Sequence, residues 1–276
     1  MHTILEKKQF SKDVFYLRVS APEIAKNRRA GQFIIVQLDV DFGERVPLTV
    51  ADADPEQGWI ALVVQAVGAT TIKLCRKEVG DTIAAVLGPL GNPTHIEKVG
   101  KVVCVGGGIG VAPLHPIAQA YKRAGNEVVI IMGGRTKELV IFEEEMRKIA
   151  DELIIVTDDG SYGRKALVTE PLKELCESSA PPNEAVAIGP PIMMKFCAET
   201  TRPYGIHTVV SLNTIMIDGT GMCGGCRVTV GGQTKFVCVD GPEFDGHAVD
   251  FDNMMLRMQA FKTREEKDRH TCRIGQ

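Results

Sequence analysis

What the chain lacks narrows it first. Its 276 residues contain no apolar stretch of membrane-spanning length. The opening Met1-His2-Thr3-Ile4-Leu5-Glu6 lacks the apolar core of a signal peptide, so a cytoplasmic location is expected. Neither charge sign dominates: 32 Lys and Arg stand against 35 Asp and Glu, for a net charge of −3. With both signs interspersed, nothing marks a surface for nucleic acid or anionic membrane. Internal repeats and low-complexity tracts are absent too. Eight cysteines are present, but a reducing compartment argues against a disulfide framework.

The length suggests about two domains, and 44% hydrophobic with 24% charged residues fits an ordinary globular protein. Residues 1–98 read as short strands with turn punctuation, among them 33–38, 46–50 and 59–65, with 52–58 as a loop. Such strands at short intervals suggest a small β barrel, with one helix expected over 70–77. The Gly88-Pro89-Leu90-Gly91-Asn92-Pro93 run reads as a closing turn.

From Lys101 the pattern alternates. Strands are expected at 102–105, 128–132, 153–156 and 185–188, with helices through Tyr121, over 143–150 and over 166–176. Strands apolar on both faces and separated by helices indicate a covered parallel sheet, so residues 99–207 read as an α/β domain. Residues 208–276 form a third segment. It ends in a helix from about Asn253, with Met254, Met255, Met258 and Phe261 on one packing face and a solvated end over 262–269. Cys75, Cys104, Cys176 and Cys197 sit in apolar or helical contexts and read as inert core thiols. Cys272 has no evident partner.

The third segment holds the sharpest signal, Asp218-Gly219-Thr220-Gly221-Met222-Cys223-Gly224-Gly225-Cys226 followed by Cys238. Plant-type iron–sulfur proteins use Cys-x4-Cys-x2-Cys and a later Cys to hold a [2Fe–2S] cluster. Here the first position is Asp218. Three thiolates and a carboxylate in one glycine-rich loop repel one another unless a cation lies between them. Structural zinc, which also accepts Cys and Asp, fits the same spacing.

Two further loops carry weaker signals. Gly107, Gly108, Gly110 and Pro113 lie at a strand-to-helix turn, where free N–H groups and the helix dipole suit a phosphate. Val111 replaces the third glycine of the strict dinucleotide fingerprint, and a tight turn without ligand is the alternative. Gly189, Pro190 and Pro191 follow the last parallel strand, at the edge where open α/β sheets bind nucleotides.

Together these pieces resemble the ferredoxin–NADP reductase-like superfamily over essentially the whole chain. Asp218 to Arg227, with Cys238 to His247, looks like the small-subunit branch of NADH-dependent reduced ferredoxin:NADP oxidoreductases, also described as sulfide dehydrogenase subunits. That branch is related to dihydroorotate dehydrogenase B electron-transfer subunits, which have a cysteine where this chain has Asp218. The resemblance implies FAD on the barrel, NAD(H) on the parallel sheet and a [2Fe–2S] cluster on Asp218, Cys223, Cys226 and Cys238.

It also implies roles for individual residues. Thr49 would hydrogen-bond the flavin near N5 as the candidate catalytic residue, with Pro47 and Leu48 along the ring. The family's flavin arginine falls on Val46 here, and Arg45 is one place off. Val64, Gln65, Ala66, Gly68, Thr70 and Thr71 match the second flavin segment. Many relatives carry a cysteine where this chain has Ile188. Arg135, just after the second parallel strand and with no acidic residue at that strand tip, favours NADP, but it could equally pair with Glu138 or Asp159, and the resemblance implies NADH. A larger flavin and iron–sulfur subunit is the implied partner, linking NADH to NADPH and ferredoxin by electron bifurcation. Two alternatives stand beside this reading: an electron-transfer subunit for dihydroorotate oxidation, and a non-redox nucleotide-binding protein with structural zinc.

Overall fold

The structure is a computed structural model describing residues 1–41 and 43–260. Expectations for Phe261, for 262–269 and for Cys272 lie outside the described residues.

The N-terminal strands are β1 (His2–Ser11), β2 (Val14–Ser20), β3 (Phe33–Gln37), β4 (Arg45–Thr49), β5 (Asp52–Asp54), β6 (Trp59–Gln65), β7 (Thr82–Ile83) and β8 (Ala85–Leu90). Helix α1 (Pro22–Asn27) follows β2, and α2 (Ala69–Arg76) follows β6. They form two antiparallel sheets, ordered β5-β6-β2-β1-β7 and β4-β3-β8. The sheets enclose a barrel-like core of Ile4, Leu17, Val19, Ile34, Val36, Ile60, Leu62, Val64 and Ile83.

Strand β6 reads Trp-Ile-Ala-Leu-Val-Val-Gln without polar alternation because both of its faces are covered. Ile60, Leu62 and Val64 enter the barrel core. Trp59, Ala61 and Val63 pack the other way, among Val102, Leu114, Ile117 and Tyr121 of the parallel-sheet region. The barrel and the next layer are thus joined through one strand.

The second region has β9 (Lys101–Gly107), α3 (Val111–Arg123), β10 (Glu127–Gly134), α4 (Glu143–Arg147), β11 (Glu152–Thr157), β12 (Arg164–Lys165), α5 (Thr169–Cys176), β13 (Glu184–Ile188), α6 (Pro191–Thr201) and β14 (His207–Ser211). All these strands pair in parallel. The remainder is β15 (Arg227–Val230), β16 (Gln233–Phe236), α7 (Val237–Asp240), β17 (Glu243–Asp245) and α8 (Phe251–Met258). Strand β17 adds antiparallel to β14, giving a seven-stranded order β12-β11-β10-β9-β13-β14-β17.

Several elements differ from the sequence reading. Asp52–Asp54 pairs with β6 as a short edge strand, and only the following turn is a loop, with Asp54 Oδ1 accepting from the Glu56 and Gln57 N–H groups at 2.9 Å. The first half of the segment read as a closing turn, Gly88 to Leu90, is instead the end of strand β8, which pairs with β3. The helix expected over 166–176 starts only at Thr169, because Ala166 and Val168 are used as core plugs before it. The helix expected over 143–150 is the shorter α4. Pro191 begins α6 from its first position, where a missing N–H is harmless. The final helix starts at Phe251, with Asp250 Oδ1 accepting from Asn253 N at 3.0 Å as a cap. Met254 is buried there, with Met255 and Met258 packed beside it, as the spacing predicts.

Candidate functional site

The strand order explains why two separate glycine runs meet. Chain order runs from β9 outward through β10, β11 and β12, then returns to β13 on the other side of β9. The switch therefore falls between β9 and β13, the position at which open α/β sheets form a ligand crevice. Gly107 ends β9, and residues Gly108–Gly110 make a single tight turn into α3. A Cβ on Gly110 would lie 2.3 Å from the Ile188 carbonyl oxygen, and one on Gly107 would lie 2.3 Å from Met193 Sδ. Gly108, at φ +55°, has open space around its missing side chain. Gly107, Gly108, Gly110 and Pro113 are thus brought together with Gly189, Pro190 and Pro191. Met193, which the sequence reading passed over, fills the space between the runs.

Arg135 follows β10, and its carbonyl accepts from Asp159 N at 3.3 Å. The structure joins the pair through backbone rather than as an ion pair. Asp159 Oδ1 accepts from Ser161 N at 2.9 Å, and bonds from Ser161 hold the Asp159 carboxyl below its usual range. Burial keeps the other expected core thiols protonated: Cys75 and Cys176 are raised to about 11 and Cys197 to about 12, and Cys104 is raised as well.

On the barrel, β4 presents Pro47, Leu48 and Thr49, each half-buried and paired with Ile35, Ile34 and Phe33 of β3. Arg45 is exposed at the strand's start, its Nε donating to Gln37 Oε1 at 3.4 Å. Strand β6 delivers Val64 and Gln65, and Ala66 leads into α2. Gly68 starts that helix in extended conformation. Thr71 Oγ1 accepts from Gly68 N at 3.0 Å, the reach-back half of a capping box. Thr70 Oγ1 donates to a carboxylate oxygen of Glu44. Glu44 was not singled out from sequence; only its place beside the displaced Arg45 hinted at it.

The cysteine segment is set by a hairpin. Gly231 and Gly232, both at positive φ, form the two-residue turn between β15 and β16. The register pairs Arg227 with Phe236, so Cys226 and Cys238 emerge together with their sulfurs 3.3 Å apart. Both are buried, and Cys238 is pushed up to about 12 by burial and by the neighbouring thiol. Cys223 is exposed, and its Sγ accepts from Gly225 N at 3.4 Å. Asp218 holds the loop's other end, accepting from Thr220 N at 2.8 Å and from Cys223 N at 2.6 Å. These bonds lower its pKa. Among the described residues no three His, Cys, Asp or Glu side chains converge as on one metal ion.

The loop lies against the barrel. A Cβ on Gly219 would meet Ile35 Cγ1 at 2.8 Å and Leu90 Cδ1 at 3.0 Å. Ile35 is the β3 partner of Pro47, so the loop borders the strand pair that carries Thr49. The connection after β8 is bolted to the same segment. Asn92 N donates to Gly241 O at 2.7 Å, Asn92 Nδ2 to Val239 O at 3.1 Å, and Thr94 Oγ1 to Glu243 Oε1 at 2.7 Å. Burial, with Glu184 nearby, raises the Glu243 carboxyl to about 7. Around the loop, Ile217 and Met222 are exposed at 53% and 88%.

Comparison with known proteins agrees with this layout. Residues 104–199 match the oxidoreductase NAD-binding domain, and residues 213–250 match the iron–sulfur cluster binding domain of dihydroorotate dehydrogenase B. An electron transfer subunit homolog of dihydroorotate dehydrogenase B (NAD(+)) from Thermotoga maritima is 48% identical over 266 residues, 96% of this chain and 93% of that one. The electron transfer subunit from Bacillus caldolyticus is 33% identical, covering 88% of this chain and 95% of its own. A chain of the NADH-dependent reduced ferredoxin-NADP oxidoreductase, solved for insight into flavin-based electron bifurcation, superposes with TM-score 0.93 at 46% identity, covering 98% of this chain and 97% of that one. A ferredoxin NADP+ reductase from Neisseria gonorrhoeae with bound FAD and NADP shares the fold, with TM-score 0.59 at 20% identity over 74% of this chain and 90% of that one. The chain therefore belongs to the dihydroorotate dehydrogenase B-type electron transfer subunits, a family of NAD-binding, iron–sulfur oxidoreductase components.

Proposed function

We propose that this chain passes electrons between NAD(H), FAD and a [2Fe–2S] cluster, and onward to a larger flavin and iron–sulfur subunit, in bifurcation among NADH, NADPH and ferredoxin. On this reading residues 1–98 hold the flavin, 99–207 the nicotinamide nucleotide and 208–276 the cluster. The observation that carries it is the lodging of the Asp218–Cys226 loop against Ile35 and Leu90, beside the strand pair bearing Thr49.

The bound cofactors would supply the exchange between a two-electron hydride and single electrons. The chain's own residues position them. N–H groups at Gly108–Gly110 and the start of α3 would face the nucleotide phosphates. Arg135 and Asp159, at the tip beyond β10 and β11, would lie toward the ribose. Thr49 would offer a hydroxyl to the flavin ring, with Pro47 and Leu48 against it. Gly68, Thr70 and Thr71 would receive the flavin pyrophosphate at the start of α2, Glu44 releasing Thr70. Arg45 is close enough in sequence to contribute from the edge. Three thiolates and one carboxylate make a donor set suited to iron and sulfide. Two donors side by side and two at the outer turn fit a binuclear centre, whose sulfides fill the space between, better than one zinc ion. The exposed Ile217 and Met222 beside the loop supply an apolar rim for the partner subunit.

Service in dihydroorotate oxidation is the second reading, favoured by the names of the relatives at 33–48% identity. Asp218 in place of cysteine favours the first. Anaerobically purified protein should show flavin and iron–sulfur absorbance and contain iron and acid-labile sulfide in equal amounts. A colourless zinc protein refutes both readings. The identity of the copurifying subunit then separates them.

A further inference from the structure

A second cleft, of about 750 Å³, opens at the far end of α3. Its walls come from the end of α1 and the residues after it, from β5, from the Pro93–Ile96 connection and from the C-terminal half of α3. Arg123 lies twelve residues along α3 from Val111. At 1.5 Å per residue that is about 18 Å from the glycine turn, so the cleft is separate from the nucleotide crevice.

The cleft is strongly cationic in a chain whose net charge is −3. Lys26, Arg28, Arg29 and Arg123 line it, and Asp52 is the one carboxylate among the lining residues. Arg28 is the least exposed of the four, its side chain 14% exposed, and Asp52 approaches it only to 3.7 Å. Burial and the nearby Arg123 both disfavour its charge, and Asp52 offsets this only in part. A guanidinium set this deep beside a second one calls for more negative charge than one partly exposed carboxylate supplies. Helix dipoles explain some of the pattern, since Lys26 and Arg123 stand in last turns. Arg28 caps the same end of α1, but Arg29 lies beyond the cap, and the dipoles do not account for the depth of Arg28 beside Arg123. Pro55, Pro93, Ile96 and Pro116 add an apolar wall, and the volume suits a ligand of nucleotide size.

We propose that this cleft is an anion site for a small organic polyphosphate, gripped by Arg28, Arg29 and Arg123 and resting on the proline-lined wall. Because barrel and parallel-sheet elements both contribute walls, the ligand bridges them and resists their separation.

ATP without magnesium serves as the probe, titrated calorimetrically into holoprotein already saturated with NAD+ so that the nicotinamide site is filled. One saturable site per chain is expected, with inorganic pyrophosphate binding more weakly than ATP. The double variant R29E/R123E, changed only at exposed rim positions, should weaken ATP binding about tenfold or more, since charge-assisted contacts are lost and repulsion added. Its NADH-dependent ferricyanide reduction should match that of the parent protein. The proposal is overturned if ATP does not bind under NAD+ saturation, if pyrophosphate binds as tightly as ATP, or if charge reversal leaves the affinity unchanged.

Discussion

Substituting Gly110 by Ala isolates a single close approach. Its backbone, at φ −62°, accepts any residue, so no conformational strain attends the change. Space is the sole obstacle. The added carbon would sit 2.3 Å from the Ile188 oxygen, 2.7 Å from its carbonyl carbon and 2.8 Å from Gly189 Cα. All three are backbone atoms, so relief requires the ends of β9 and β13 to part by nearly an ångström. Overpacking of this kind costs about 1–3 kcal/mol or more, and a backbone obstacle places G110A at the upper end. Gly108 supplies the control. Nothing lies within 4 Å of its missing side chain, but its φ of +55° penalises an L residue by about 1–2 kcal/mol. Urea unfolding followed through Trp59, the one tryptophan, which packs between barrel and α3, should therefore rank G110A below G108A below the parent. G110A should also raise the KM for NADH, because Gly107 and Gly189 are displaced with the strand ends. A G110A protein as stable as G108A or better would refute the argued contact between the two glycine runs.

Three further outcomes are expected. Glu243, with its pKa raised to about 7 from 4.5, binds more protons folded than unfolded between those values. Its stabilisation is present below pH 4.5 and disappears as pH rises through 7, by up to about 3 kcal/mol. E243Q should flatten the stability profile over that window, and an unchanged difference between pH 5 and pH 8 would contradict the assignment. Asn126 accepts from Val99 N and Gly100 N at 2.8 and 3.0 Å and donates to Glu97 O and Tyr121 O at 2.9 and 3.0 Å. N126A should lose about 2–4 kcal/mol by chemical denaturation, and a loss below 1 kcal/mol would show that water replaces the side chain. D218C should alter the EPR g-values and potential of the reduced cluster; identical spectra would remove Asp218 from the iron.

The sequence was most legible where one residue type answers to one local demand. Val128–Met132, apolar at every position, could only be a strand covered on both faces, and the Asp218–Cys226 spacing pointed to metal before any geometry. The misses have a common cause. Polar β1, with Glu6, Lys7, Lys8 and Gln9, carries no run of apolar residues, and its place is secured by pairing with β2. Asn92 looked like punctuation because its partners, Gly241 and Val239, lie some 150 positions later, and the end of β8 because Leu90 pairs with the distant Phe33 of β3. The approach of Gly110 to Ile188 follows from strand order, which no local pattern encodes. Glu44 meets Thr70 only because β4 and α2 share the barrel's rim.

Strand β17 carries one more implication. Three residues of the cysteine-bearing segment complete the edge of the dinucleotide sheet, at Val209, Val210 and Ser211. Any redox group held by that segment is therefore stitched to the scaffold at both flanks and cannot swing like a tethered shuttle. Its tunnelling gap to a neighbour on the barrel inherits the precision of a hydrogen-bonded ladder. Timing of electron release would then come from driving force, or from the partner subunit proposed above, with reach already settled when the chain folds.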